Sequence, residues 1–265
     1  MPNNKDLPLA SNPWALYDQL IEGVPDGIEV VDYCIGDHWS YLIASCGMGI
    51  SYTFPGGGRS TFKDDPRDYD LRGLAALSKS WCFREASLGV AALNAWYSQR
   101  QRVLALGAQF DEDDDHVGSA DQSNPFSFLK DNYLGKKVTV VGHFPNVEHM
   151  AQVADLTVLE RNCTSQLDTP DPACEYILPS QDFAFITGTT ITNKTAPRLL
   201  QLCNGVITTM LGPSVVPAQA LRDAGVDYVS GSVVLDEEAA QFAIKGGSKA
   251  LWRHGIKKFW IGPSA

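Results

Sequence analysis

The feature that most restricts this chain is the regular alternation from Leu134 onward. The runs KVTVVG, DLTVLER, DFAFITG, VITTMLG and DYVSGSVVL are β-branched and apolar, and NVEHMAQVA, TAPRLLQLCN, VPAQALRDAG and EEAAQFAIKGG lie between or after them with helical spacing. Strands separated by helices of this length build βαβ units, hence a parallel sheet with helices on both faces. The expected class is α/β, with a Rossmann-like C-terminal domain. The first hundred residues follow another rhythm. A helix-like WALYDQLIEGV precedes IEVVDYCIG, HWSYLIAS and ISYTF, three β-rich runs split by turns, and residues 71 to 99 are helical and alanine-rich. This is a small antiparallel meander packed on helices, an α+β unit. Between the two, DEDDDHVGSADQSNP at 111 to 125 carries five consecutive acids and then small polar residues, the composition of a solvated linker. His116 beside those acids does not make a Ca²⁺ loop, because adjacent carboxylates lack the every-second-residue spacing and the turn glycine. The expected organisation is therefore 1–105 α+β, 106–130 acidic linker and 131–265 Rossmann-like.

A formal net charge of −10 and a pI near 4.9 argue against nucleic acid and anionic membrane surfaces, both of which need clustered Lys and Arg. A metal ion or a small molecule is the better partner, and a homodimer is allowed. The N-terminal MPNNKDLPLASNPW has no basic and apolar signal pattern, and no apolar run approaches the roughly 20 residues of a spanning helix, so a cytoplasmic location is expected. Cys34, Cys46, Cys82, Cys163, Cys174 and Cys203 form no C-x-x-C pair and are expected as free thiols in a reducing compartment.

In an open α/β sheet, ligands bind beyond the carboxyl ends of the strands. That rule selects Gly142-His143-Phe144-Pro145, Glu160-Arg161-Asn162, Thr187-Gly188-Thr189-Thr190 with Asn193, Gly212-Pro213-Ser214 and Gly231-Ser232. The first of these lacks the G-x-G-x-x-G of a dinucleotide binder: Phe144 and Pro145 put side chains where a pyrophosphate would approach the backbone. His143 suits a metal ligand or a general base, or else a hydrogen-bonded loop residue. Glu160 closes the second strand, where nucleotide-binding folds keep the acid that accepts ribose hydroxyls; with His143 and Cys163 it could equally furnish a mixed N/O/S metal site. Thr189, Thr190 and Asn193 either cap a helix or bind an anion, and Gly212-Pro213-Ser214 is either a turn or a rim of the site. Arg84 and Glu85, adjacent on a helix, point to different faces and one of them is expected to face the second domain.

Several stretches together, WCFREASLGVAALNAWY, VVGHFPNVEHM, LERNCTSQLDTPDPACEYILPSQDFAFITGTTITNKT and LGPSVVPAQALRDAGVDYVSGSVVLD, resemble the family described as "putative heavy-metal chelation" over nearly the whole chain. The resemblance implies an enolase N-terminal-like first domain, a Rossmann-like second domain and a cleft between them, with a role in metal chelation or in anaerobic cofactor and metallophore metabolism inferred from context. Its motifs fall on Gly142 with Phe144 and Pro145, on Glu160-Arg161-Asn162, Gly188-Thr189-Thr190 and Asn193, and on Gly212-Pro213-Ser214 and Ser230-Gly231-Ser232. Cys163 and Cys82 depart from its pattern. The expected function is the binding of a divalent transition metal or a metal chelate in the cleft. The alternatives are an enzyme acting on an adenosine-containing or phosphorylated molecule and a non-catalytic scaffold subunit.

Overall fold

A computed structural model describes residues 12–110, 124–145 and 147–263. Two sheets are present. In the first, β1 (Val30–Ile35), β2 (Trp39–Ala44) and β3 (Gly47–Tyr52) form an antiparallel meander with Tyr41 opposite Ile50. The helix Phe83–Tyr97 lies on β3, and the contact is so close that Gly49 has no room for a side chain: a Cβ there would sit 2.0 Å from the Ala95 nitrogen. The alanine-rich face of that helix, with Ala86, Ala91, Ala92 and Ala95 fully buried, is what allows strand and helix backbones to approach.

The second sheet contains β4 (Gln109–Phe110), β5 (Lys137–Val141), β6 (Asp155–Glu160), β7 (Asp168–Pro170), β8 (Phe183–Thr187), β9 (Ile207–Leu211), β10 (Tyr228–Val234) and β11 (Ile256–Ile261). Its order is β4-β11-β10-β9-β8-β5-β6-β7. The six strands β7-β6-β5-β8-β9-β10 are parallel and follow the 3-2-1-4-5-6 order of a Rossmann sheet, with β11 and β4 added antiparallel at one edge. The chain is thus an α/β protein with a Rossmann-like second half. Among the described residues no helix is long and apolar enough to cross a membrane.

Several local features differ from the sequence reading. The helix expected at 146–154 is a tight 3-10 segment, Val147–Gln152, entered just after Pro145. The strand β7 is too short, and ends in a proline, to stand out as a strand in sequence. Within the stretch expected as linker, β4 pairs with β11 through Phe110 opposite Phe259, and the short helices from Pro125 to Tyr133 bury Leu129 and Tyr133 against Phe183 and Phe185. The acidic run and His116 lie outside the described residues. The two halves also share one continuous core: Leu16, Leu88 and Ala91 pack in the same cluster as Ile191, Val215 and Val216, and the Tyr17 hydroxyl donates to the Ile191 carbonyl at 2.7 Å.

Candidate functional site

The chain runs β5, β6, β7 outward in one direction and then returns to place β8 on the other side of β5. The switch point therefore lies between β5 and β8, where the loops leaving the two strands diverge and open a crevice. A cavity of about 140 Å³ occupies that place. It is lined by Gly142 after β5, by Glu160 and Arg161 at the end of β6, and by Thr187, Thr189, Thr190 and Asn193 after β8. Asp171, Cys174, Arg198 and Leu199 come from the segments that flank β8, and Phe54 reaches in from just beyond β3 of the first sheet.

Gly142 leaves β5 with φ 97°, a conformation open to glycine, and a Cβ there would stand 3.0 Å from the Thr187 methyl. The Glu160 carboxylate bends back on its own loop, its Oε1 accepting the Arg161 and Asn162 N–H groups at 2.8 and 3.3 Å. Arg161 is held by Asp171, Nε to Oδ2 2.9 Å, and Arg198 by Glu175, Nε to Oε1 2.8 Å. Each guanidinium is oriented by one carboxylate and keeps exposed surface. Burial, reinforced by Glu175 and Asp171, raises the Cys174 thiol above its ordinary pKa, so the thiol is neutral in this setting. Thr187 and Thr189 pair through their hydroxyls at 3.1 Å, while Thr190 Oγ1 donates to the Thr187 carbonyl. Asn193 Oδ1 accepts from the Thr195 N–H and hydroxyl at 3.1 and 2.6 Å, a side-chain turn that precedes the helix Ala196–Leu202 without capping it.

The other expected site residues lie elsewhere, for identifiable reasons. His143 is bonded away from Glu160: its Nδ1 meets Asp168 Oδ1 at 3.1 Å and its Nε2 meets Glu148 Oε1 at 3.3 Å. The Asp168 side chain has no exposed surface, and the Ser165 and Thr164 N–H groups, with His143, hold its carboxyl below the usual range. Phe144 packs edge-on against Phe126 in the core beneath β5, and Pro145 and Asn162 are exposed. Cys163 is exposed and its Sγ donates to the Glu160 carbonyl at 3.6 Å. Gly212-Pro213-Ser214 joins the two halves: Ser214 Oγ accepts the Tyr52 N–H at 2.8 Å and the Pro213 carbonyl accepts from Asn94 at 3.2 Å. Ser232 sits within β10 rather than beyond it, because that strand continues to Val234 with Gly231 pressed on the Phe259 ring. Arg84 and Glu85 both serve the first half, Arg84 donating to the Ile35 carbonyl and Glu85 binding the loop at Ser60–Phe62.

Among the described residues no group of three or more His, Cys, Asp or Glu side chains is placed to hold a metal ion. His143, Glu160 and Cys163 are engaged separately, and the cavity carries two arginines. This donor set does not fit a resident bare cation. Replacing His143 by alanine is expected to lower stability by about 1 kcal/mol through loss of the Asp168 contact, since two backbone N–H groups still hold that carboxylate; urea unfolding measures it.

The strand order and the cavity define the class: a Rossmann-like α/β protein with a crevice where such sheets take small ligands. Two family profiles match, both described as "Putative heavy-metal chelation": DUF4213 over residues 17–97 and DUF364 over residues 124–260. The chain belongs to the DUF364 family. A DUF364 protein of unknown function from Desulfitobacterium hafniense DCB-2 superposes with a TM-score of 0.84 at 32% identity, covering 95% of this chain and 99% of that one. One from Pyrococcus horikoshii gives 0.76 at 19% identity over 93% and 98% of the two chains, a likeness of fold. An uncharacterized protein of Methanocaldococcus jannaschii is 26% identical over 249 residues, 90% of this chain and 92% of that protein.

Proposed function

We propose that this protein binds a small chelated metal, recognising the organic ligand rather than the bare ion, in the switch-point cavity between its two halves. The observation that carries this reading is the lining itself. Arg161 and Arg198, each oriented by one carboxylate but still exposed, supply donors for a carboxylate- or phosphate-bearing chelator, and the threonine hydroxyls supply neutral donors and acceptors beside them. Phe54 provides an apolar wall from the first half. The family description agrees with a metal as cargo. The chelate brings most of the coordination sphere, which relieves the chain of any need for a three-residue metal site.

A second reading rests on Glu160. As the last residue of β6, the second strand of the 3-2-1-4-5-6 order, it holds the place at which Rossmann sheets accept ribose hydroxyls, which favours an adenosine-containing ligand. Calorimetric titration of protein purified without an affinity tag separates the two. Ni²⁺ or Co²⁺ citrate should release heat on the first reading, and ATP or adenosine on the second. Glu160→Gln should weaken adenosine binding by roughly tenfold to a hundredfold on the second reading, and leave the chelate's affinity within a few-fold on the first.

A further inference from the structure

A second and larger cavity, of about 660 Å³, lies at the far end of the main sheet from the switch point. It opens beside Tyr228, the first residue of β10, and Gly262, which follows the last residue of the antiparallel β11, so it faces the amino ends of the parallel strands. The short helices Pro125–Phe128 and Lys130–Tyr133 close one side of it through Phe128 and Asn132. Its volume falls in the range of small-molecule sites, roughly 300–1,000 Å³.

Strand register gathers the walls. Trp260 stands opposite Gln109 of β4 and opposite Ser230 of β10, and directly opposed residues share a face of the sheet. The indole and the Gln109 amide therefore project to the same side, together with Tyr228, two residues before Ser230. Phe128 stacks on Trp260, with ring centres 4.6 Å apart and planes 25° from parallel, and leans on Tyr228 at 6.4 Å. All three rings stay partly exposed. Gly262 leaves the opening between two of them: a Cβ there would stand 3.2 Å from Trp260 Cζ3 and 3.6 Å from Tyr228 Cε1. Its φ is outside the left-handed region, so what this glycine provides is space.

The chemistry of the lining selects the ligand. Among the described residues none that lines the cavity is charged, and Arg222, whose guanidinium donates to the Gly262 carbonyl, stands outside the lining. A phosphate or carboxylate would find no counter-ion here, in contrast to the switch-point cavity with Arg161 and Arg198. The ring faces suit a flat partner. Gln109 and Asn132 are exposed, their side chains have no hydrogen-bond partner among the described residues, and each amide presents a donor beside an acceptor. That pattern complements the edge of a ring amide, where a carbonyl stands next to an N–H. We propose that this cavity binds a neutral planar heterocycle with such an edge, of the flavin or pterin kind, its ring against the aromatic wall and its edge read by the two amides. The proposal is independent of the chelate reading: either can fail without the other.

The test is fluorescence titration with riboflavin, whose emission is quenched when its ring stacks on an aromatic side chain, and with FMN as its phosphorylated counterpart. Wild type should quench riboflavin saturably with one site per chain, and FMN should bind no more tightly. Gln109→Ala should weaken binding by about tenfold, and Gly262→Leu, which fills the gap between the rings, should abolish it with the thermal midpoint near that of wild type. Absence of saturable quenching, or quenching that survives Gly262→Leu in a folded protein, would overturn the proposal. If Gly262→Leu fails to fold, Gln109→Ala decides in its place, and unchanged affinity there would overturn it. So would FMN binding more than about tenfold tighter than riboflavin, since that preference would place the ligand against arginines.

Discussion

Gly188→Ala should destabilise the protein by about 4 kcal/mol or more and remove any ligand binding in the fraction that still folds. The backbone of Gly188 is ordinary, φ −59° and ψ −20°, so any residue could adopt it; the constraint is space. A Cβ would stand 2.4 Å from the Val215 nitrogen and 2.7 Å from the Ser214 carbonyl carbon, both main-chain atoms that no rotamer change can move aside. Three things meet at this contact. The Gly188 N–H donates to the Leu211 carbonyl at 2.8 Å, the following threonines line the cavity, and Ser214 holds Tyr52 of the first sheet. Pushing the two loops apart should therefore open the switch point and loosen the junction of the halves together. Chemical unfolding gives the magnitude, and a loss below about 1 kcal/mol would mean that the loops are not pressed together as described.

Glu85→Gln should cost about 2–3 kcal/mol at neutral pH, and the cost should vanish in acid. Glu85 is 5% exposed and its two oxygens accept five hydrogen bonds: from Ser60 Oγ at 2.7 Å, the Thr61 N–H at 2.7 Å, the Phe62 N–H at 2.9 Å, Thr61 Oγ1 at 3.3 Å and Ser80 Oγ at 2.6 Å. Burial by itself would raise its pKa, but the hydroxyl and N–H donors outweigh it and hold the carboxyl at about 2 instead of the ordinary 4.5. A folded-state pKa below the unfolded one contributes stability in full above about pH 4.5, and that contribution is lost as pH falls through about 2. Unfolding wild type and variant side by side should thus show a gap that is constant above about pH 5 and narrows below it; a gap independent of pH would assign the cost to shape rather than charge. The loop so pinned follows Phe54, and its loosening should reach the cavity wall.

The α/β class and the five central strands were readable because Val- and Ile-rich runs separated by helical spacing admit few other solutions. Of the residues the loop-end rule selected, Gly142, Glu160, Arg161, Thr189, Thr190 and Asn193 line the cavity, since they end strands or lie in the segments that leave them. It failed where the decisive fact was three-dimensional. Phe54, Asp171, Cys174, Arg198 and Leu199 line the same cavity but come from the first half or from the segments flanking β8, and nothing in their local sequence announces it. The sequence offered His143 a neighbour in Glu160, whereas the fold gives it Asp168, on a strand of three residues too short to notice. Gly212-Pro213-Ser214 looked like a binding loop because a turn at a strand end and a latch to another sheet demand the same small, polar residues.

The central claim is that the switch-point cavity receives a chelate rather than a bare ion. Thr189→Phe places a ring in a cavity of about 140 Å³ and removes the hydroxyl that pairs with Thr187. The decisive measurement is calorimetric titration of tag-free wild type and this variant with Ni²⁺ presented bare and as its citrate complex. The account predicts heat of binding from wild type with the citrate complex, little with the bare ion, and loss of the signal in a Thr189→Phe protein with an unchanged thermal midpoint. Binding of bare Ni²⁺ as tight as that of the complex, undiminished by Thr189→Phe, would contradict it.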